Sequence, residues 1–379
     1  MSLPKAVYVH IPFCEQICHY CDFNKVFLKG QPVDEYVLAC ETEMKATVSQ
    51  HPYENIETIY IGGGTPSVMD TNQLEKLLRS INDVFSPQKN AEFSFEVNPG
   101  NISDEKLSIL KDAGVNRLSI GVQVFQEELL KKIGRTHDTN DVYETIARAR
   151  KFGFENLSID LMFGLPGQTV ESFEESIKKS LELEIPHFSA YSLKVEEKTI
   201  FYHLLRKGKL PLPTEDEEVS MYDVLINMLT EQHYEHYEIS NFSKKGYESK
   251  HNLTYWNNEE YYGIGAGAHG YVDGQRYANV GPINKYLSKV EDFGRPVLDS
   301  HVVTEKEKIE EEMFLGLRKL EGVSISQFKS RYEKGPFEIF GKEIERLKGQ
   351  GLLKVENDCI SLTRNGLFVA NEVFEKFLL

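Results

Sequence analysis

The chain has no apolar run approaching the roughly 18 residues that span a bilayer. The residue succession of a signal or transit peptide is missing too, and both absences predict a cytoplasmic protein. There is no excess of basic charge: the net charge is −16, which argues against broad binding to nucleic acid or to an anionic membrane surface. Cysteine is scarce, five in 379 residues, an odd number that does not suit a disulfide framework. Low-complexity tracts are absent, and so are repeats beyond a strand and helix alternation. What remains, 40% hydrophobic and 27% charged residues, is the composition of a soluble globular protein. The length exceeds the about 250 to 300 residues at which single cores stop growing, so one large domain with a smaller appended one is expected.

Strand-like runs recur at 6–11 (AVYVHI), 57–63, 91–97, 116–122, 156–163 and 187–193, with helical periodicity between them, for example over 71–85, 103–114 and 169–184. Strand and helix alternating about six times predict an α/β fold with a parallel sheet, either open or rolled into a barrel. The unusual polar and glycine residues follow their strands directly: three cysteines after the first, GGGTPS (62–67) after the second, Glu96 and Asn98-Pro99-Gly100 after the third. Gln123 ends the fourth run, and Asp160 with GLPGQT (164–169) ends the fifth. The carboxyl ends of parallel strands form the mouth of such a site. Contributions from five consecutive strands favour a barrel or partial barrel over a two-fold switch point.

Beyond about residue 200 the pattern changes. An amphipathic helix is expected over 217–234, whereas the aromatic, glycine-rich segment 251–271 fits neither period. A boundary is predicted at FGRP (293–296), followed by three helices, a hairpin turning at Asn357-Asp358 and a last helix, a winged-helix-like order. From Gly341 to Leu379 there are six Lys/Arg and six Asp/Glu, which disfavours a DNA-reading face. The expected division is therefore 1–240, 241–296 and 297–379. Cys40 and Cys359 stand alone in apolar contexts and are expected in the core.

The spacing Cys14-x3-Cys18-x2-Cys21 has three readings. A structural zinc site normally takes four ligands, and no second Cys pair or spaced His pair follows, although His10 and His19 are near. A redox pair would use Cys18 and Cys21 but not Cys14. An iron-sulfur cluster held by three thiolates would leave one iron open. The loop, followed by GGGTP one strand later, resembles that of the radical S-adenosylmethionine (SAM) superfamily, and that resemblance implies a 4Fe-4S cluster whose open iron is chelated by SAM. It implies a partial (β/α)6 TIM-like barrel as well. Tyr8, Tyr20, Gly63, Gly64, Thr65, Glu96, Gln123, Arg135 and Asp160 are the SAM-binding candidates. The glycines would allow close backbone approach to the methionyl group, and the polar groups, placed at strand ends, suit the ribose and the SAM charges. Each also has a structural reading: a core tyrosine, a tight turn, an internal hydrogen bond.

Over nearly the whole chain the motifs YVHIPFC, GGGTPS, FEVNPG, SIGVQ and GIGAGAHG resemble the oxygen-independent coproporphyrinogen III oxidases and the haem chaperones related to them. Two departures set the oxidases apart. Their loop has a further cysteine where Phe23 stands here, and they carry an extension before their cysteines. HNLTYW (251–256) is similar to the His-Asn-x-x-Tyr-Trp motif of the chaperone branch, which implies haem binding by His251, Asn252, Tyr255 and Trp256. Taken alone, the same residues could cap a turn and fill core. The resemblance implies a haem carrier with haem as cargo and haem-acceptor proteins as partners. An electron donor and peripheral association with membrane haem proteins belong to the same expectation, and nucleic acid does not. The alternative is oxidative decarboxylation of coproporphyrinogen III.

Overall fold

The computed structural model describes residues 3–379. Six strands follow one another across a parallel sheet in chain order: β1 (Ala6–Ile11), β2 (Thr58–Gly63), β3 (Glu92–Val97), β4 (Arg117–Gln123), β5 (Asn156–Phe163) and β6 (His187–Ser192). Every residue of β4 is buried, and in β1 all but Tyr8 are, as expected of strands covered on both faces. The crossovers carry α1 (Val33–Gln50), α2 (Thr71–Phe85), α3 (Asp104–Asp112), α4 (Glu127–Ile133), α5 (Thr139–Lys151) and α6 (Val170–Glu182). Local sequence selects α2 at both levels. Asp70 and Gln73 cap it reciprocally, Gln73 N–H donating to Asp70 Oδ1 at 2.9 Å and Asp70 N–H to Gln73 Oε1 at 3.1 Å. Its Leu74, Leu77, Leu78, Ile81 and Phe85 then recur at helical spacing and are all buried.

After β6 come α7 (Ile200–Arg206) and α8 (Glu215–Glu231), and then β7 (Glu235–Glu238) and β8 (Asn241–Ser243), with β8 antiparallel to β6. The segment 251–271, expected to be irregular, holds α9 (Lys250–Trp256), β9 (Tyr261–Ile264) and β10 (His269–Val272). β9 runs parallel beside β1, with Gly263 opposite Tyr8, and so becomes a seventh parallel strand. Glycine hides it from a period-2 search. A Cβ at Gly263 would stand 1.8 Å from the carbonyl oxygen of His269, so no side chain fits there. β11 (Gln275–Asn279) and, after α10 (Ile283–Phe293), β12 (Val297–Val302) continue antiparallel. The order is β12-β11-β10-β9-β1-β2-β3-β4-β5-β6-β8-β7. Its two edge strands do not pair, and the barrel is partial. The chain thus passes the expected break at 293–296 and leaves the sheet only after Val302.

The C-terminal unit comprises α11 (Glu305–Gly316), β13 (Val323–Ser324), α12 (Ile325–Tyr332), α13 (Pro336–Gly349), β14 (Leu353–Glu356), β15 (Cys359–Leu362), α14 (Arg364–Phe368) and α15 (Ala370–Phe374). Its sheet order is β13-β15-β14, a winged-helix-like arrangement. Asn357 and Asp358 both have positive φ, 50° and 66°, as a tight two-residue hairpin turn requires. Arg364 binds Asp223 Oδ1 and Asn227 Oδ1 of α8, both at 2.6 Å, and one apolar core runs through both units. Among the described residues no helix is long and apolar enough to cross a membrane.

A buried carboxylate ties the far side of the sheet together. Glu43 on α1 accepts from Gly265 N–H at 2.8 Å, Tyr286 O–H at 2.6 Å and Asn279 Nδ2 at 2.6 Å. Burial pushes its carboxyl up to about 7 against the pull of those donors. Cys40 lies beside it, fully buried as expected, whereas Cys359 is only half-buried. Glu43→Ala leaves three buried donors without an acceptor and should cost about 3 kcal/mol or more. Urea denaturation should show that loss, with exposed Ser49→Ala on the same helix within about 0.5 kcal/mol of the parent.

Candidate functional site

Backbone hydrogen bonds build the cysteine loop. After β1 the residues Phe13–Cys14 form a short parallel pair with Val26–Phe27. Gly64 N–H donates to Ile11 O and Thr65 N–H to Phe13 O, both at 2.8 Å, which docks the loop on the turn after β2. A Cβ on Gly64 would lie 2.8 Å from Phe13 O and 2.9 Å from Cys14 Sγ, so only glycine permits this approach. On the opposite side His19 N–H donates to Ile133 O at 2.9 Å, pinning the loop to the end of α4. At its exit Asn24 donates from Nδ2 to Ala266 O at 2.7 Å and to Gly281 O at 3.0 Å. Cys14, Cys18 and Cys21 all face one cavity of about 400 Å³ at the carboxyl ends of the strands. Burial pushes the Cys14 thiol up to about 11.

Tyr20, Gly63, Gly64, Thr65, Glu96, Gln123, Arg135 and Asp160 line this cavity. Glu96 accepts from Tyr60 O–H at 2.8 Å and from Gly63 N–H at 3.0 Å. Burial pushes it up to about 7 and Asp160 up to about 6. Gln123 reaches the mouth through a bulge: its φ is 69° and the register against β5 shifts between Ile120 and Gln123, which re-aims the side chain. Three placements differ from expectation. Asp160 lies within β5, opposite Ser189, and accepts from Ser119 O–H at 3.0 Å. Arg135 comes from the turn after α4, not from a strand end, and donates to Asn98 Oδ1 at 2.6 Å. Tyr8 does not line the cysteine cavity; its hydroxyl meets His10 Nδ1 at 2.9 Å. Asn98, singled out at the end of the third strand, lines it too, and Ser119, Ser189 and Tyr60 line it without having been expected. A small polar or aromatic residue at an inward position of an otherwise apolar strand is the signal that marks Ser119, Ser189 and Tyr60.

A second cavity of about 490 Å³ adjoins the first. Tyr60, Gly63, Glu96, Asp22, Phe23 and Asn252 border both. Its remaining wall includes Tyr8, His10, His251, Tyr255, Tyr261 and His269, and Tyr8, Tyr60 and His251 form a stack with centroids 6.2 and 5.3 Å apart. His251 is buried, with Nδ1 at 2.9 Å from Thr58 Oγ1 and Nε2 at 2.8 Å from Tyr255 Oη. Desolvation lowers it to about 3, so it is a neutral ring. Trp256 lines neither cavity; the Arg318 guanidinium stacks on it at 4.2 Å. Of the HNLTYW residues, His251, Asn252 and Tyr255 therefore reach the cavity and Trp256 does not.

The donor set fits a cluster carried by three thiolates. Among the described residues no three His, Cys, Asp or Glu side chains converge as ligands for one metal ion. Cys14, Cys18 and Cys21 nevertheless all border the same cavity, as suits a cluster in which each thiolate takes its own iron. Arg135 Nε is buried there without a hydrogen-bond partner, leaving a donor available beside two buried carboxylates.

Residues 8–179 match the radical SAM superfamily, and residues 303–369 match the HemN C-terminal domain. The chain is 51% identical over 375 residues to the heme chaperone HemW of Bacillus subtilis, covering 99% of each chain. It is 47% identical to the heme chaperone HemW of Lactococcus lactis, covering 100% of this chain and 98% of that one. Among solved structures, coproporphyrinogen III oxidase (HemN) of Escherichia coli, a radical SAM enzyme, superimposes with a TM-score of 0.86 at 24% identity, over 100% of this chain and 90% of that one. The radical SAM match implies a 4Fe-4S cluster and SAM. Replacing Cys14, Cys18 or Cys21 by Ala should each abolish anaerobic cluster reconstitution, read as iron and sulfide content. Cys40→Ala and Cys359→Ala should retain the full complement, and Gly64→Ala should lower it by displacing the loop.

Proposed function

The chain belongs to the HemW family, and on that premise we propose that it is a haem-binding chaperone that delivers haem to target haem proteins. Full-length similarity to the HemW relatives carries this reading. The second cavity supports it, because an aromatic wall beside an open edge suits a flat, largely apolar cargo. So does Phe23, exposed at the place where the oxidases have a further cysteine. The scaffold would hold the cluster through Cys14, Cys18 and Cys21, with SAM exchangeable beside it. When bound, the cluster supplies an electron able to cleave SAM.

The residues of the chain itself define what surrounds SAM. Gly63, Gly64 and Thr65 offer backbone at close range for its methionyl group. Glu96, Gln123, Asp160, Arg135 and Tyr20 supply polar partners for its ribose and charges. Tyr8 acts one layer back, through its stacking on Tyr60. Glu96 gains its charge as pH rises through about 7, and SAM is cationic at sulfur. Affinity for SAM should therefore rise between pH 6 and pH 8, and Glu96→Gln should flatten that rise, as isothermal titration would show.

The direct test is titration of the anaerobically reconstituted protein with ferric haem, followed at the Soret band. Saturable binding near one haem per chain, without coproporphyrinogen turnover, is the expected result. Turnover that stops when a loop cysteine is replaced would establish the oxidase reading in its place.

A further inference from the structure

We propose that His269, in the GIGAGAHG segment, supplies the imidazole that ligates haem iron, with Phe23 as the apolar face against which the porphyrin lies. This assignment rests on the haem-carrier reading above and names the cargo site within it.

Three imidazoles line the second cavity, those of His10, His251 and His269. A ring nitrogen ligates iron only if its lone pair is not already committed. His10 has Nδ1 at 2.9 Å from Tyr8 Oη and Nε2 at 2.7 Å from Asn24 O. His251 is engaged on both sides by Thr58 and Tyr255, and it is buried behind the Tyr60 ring that stacks on it. Ligation by either ring would break an internal bond and leave a buried hydroxyl or carbonyl unsatisfied. His269 alone is exposed, and among the described residues neither of its ring nitrogens makes a hydrogen bond.

The fold holds this free imidazole at a defined place. His269 opens β10 and pairs with Ala278 of β11, and its carbonyl passes so close to Gly263 that no side chain fits between them. The two residues before it, Gly267 and Ala268, also line the cavity, and their small side chains leave room for a planar ring beside the imidazole. Phe23 is 61% exposed and borders both cavities. A large apolar ring left in solvent at a cavity rim is a surface suited to a flat partner. It also sits directly after the cysteine loop, which places the cargo next to the cluster site.

The test uses the full-length, cluster-reconstituted protein titrated with ferric haem and followed by absorption and electron paramagnetic resonance. Stoichiometric binding by the parent is required first; if it fails, the carrier reading falls and this assignment with it. With the parent binding, His269→Ala should lose the imidazole-ligated signature and bind about tenfold more weakly or worse. Added free imidazole should restore the signature. His251→Asn should keep the parent spectrum. Phe23→Ala should weaken binding by roughly tenfold without changing the ligand signature. Thermal melts and iron content control for folding. An unchanged spectrum in His269→Ala, or loss of the signature in His251→Asn with His269 intact, would overturn the ligand assignment. Unchanged affinity in Phe23→Ala would overturn the placement of the porphyrin against that ring.

Discussion

The contact of Gly64 with the chain at Pro12 to Cys14 is the constraint on which the site depends. Two strands that pair along β1 and β2 must separate where the first gives way to the cysteine loop. The separation is bridged by Gly64 N–H to Ile11 O and Thr65 N–H to Phe13 O. These bonds hold Cys14 under the turn and leave Cys18 and Cys21 on the arm of the loop that faces the barrel mouth. Because the approach tolerates no Cβ, the positions of the thiols and of the GGGTP backbone are a single geometric fact. The remaining anchors, His19 on the end of α4 and Asn24 on the turns around Gly265 and Gly281, fix the two shoulders of the same loop.

Around that loop the fold makes two cavities with a common wall. Glu96 and Tyr60 form it, hydrogen-bonded to each other and backed by the Tyr8 and His251 rings. The first cavity concentrates charge: two carboxylates raised by burial, the guanidinium groups of Arg117 and Arg135, and three thiols. The second is lined mainly by aromatic rings and imidazoles. A carboxylate desolvated in the barrel is costly unless donors meet it, and Gly63 N–H and Tyr60 O–H meet Glu96 from both sides of the wall. Chemistry that needs charge and a cargo that needs flat apolar surface are thereby placed side by side across one shared wall. Phe23 stands at the rim of both.

Much of this was legible in the residues. The six parallel strands, their order and the convergence of their carboxyl ends follow from apolar runs of strand length alternating with helical periodicity. The hairpin in the tail followed from Asn357-Asp358. The cysteine spacing and its place after the first strand pointed to the cavity that the three thiols share. Less legible was β9, because a strand whose close crossing demands Gly263 has no alternation to show. The placement of Arg135 was hidden as well, since an arginine after a helix carries no local mark of where its guanidinium will reach.

The residues alone determined the alternation of strands and helices, the three-thiol loop and the absence of a further cysteine at Phe23, because those are properties of local order along the chain. Only the tertiary structure decided which imidazole is free. His251 and His269 are equivalent as letters in a motif, and they differ because α9 packs one against Thr58 and Tyr255 while β10 leaves the other at the cavity edge. Hydrogen-bond partners 193 residues apart, such as Thr58 and His251, meet only because α9 packs against β2, and that is a property of the folded chain.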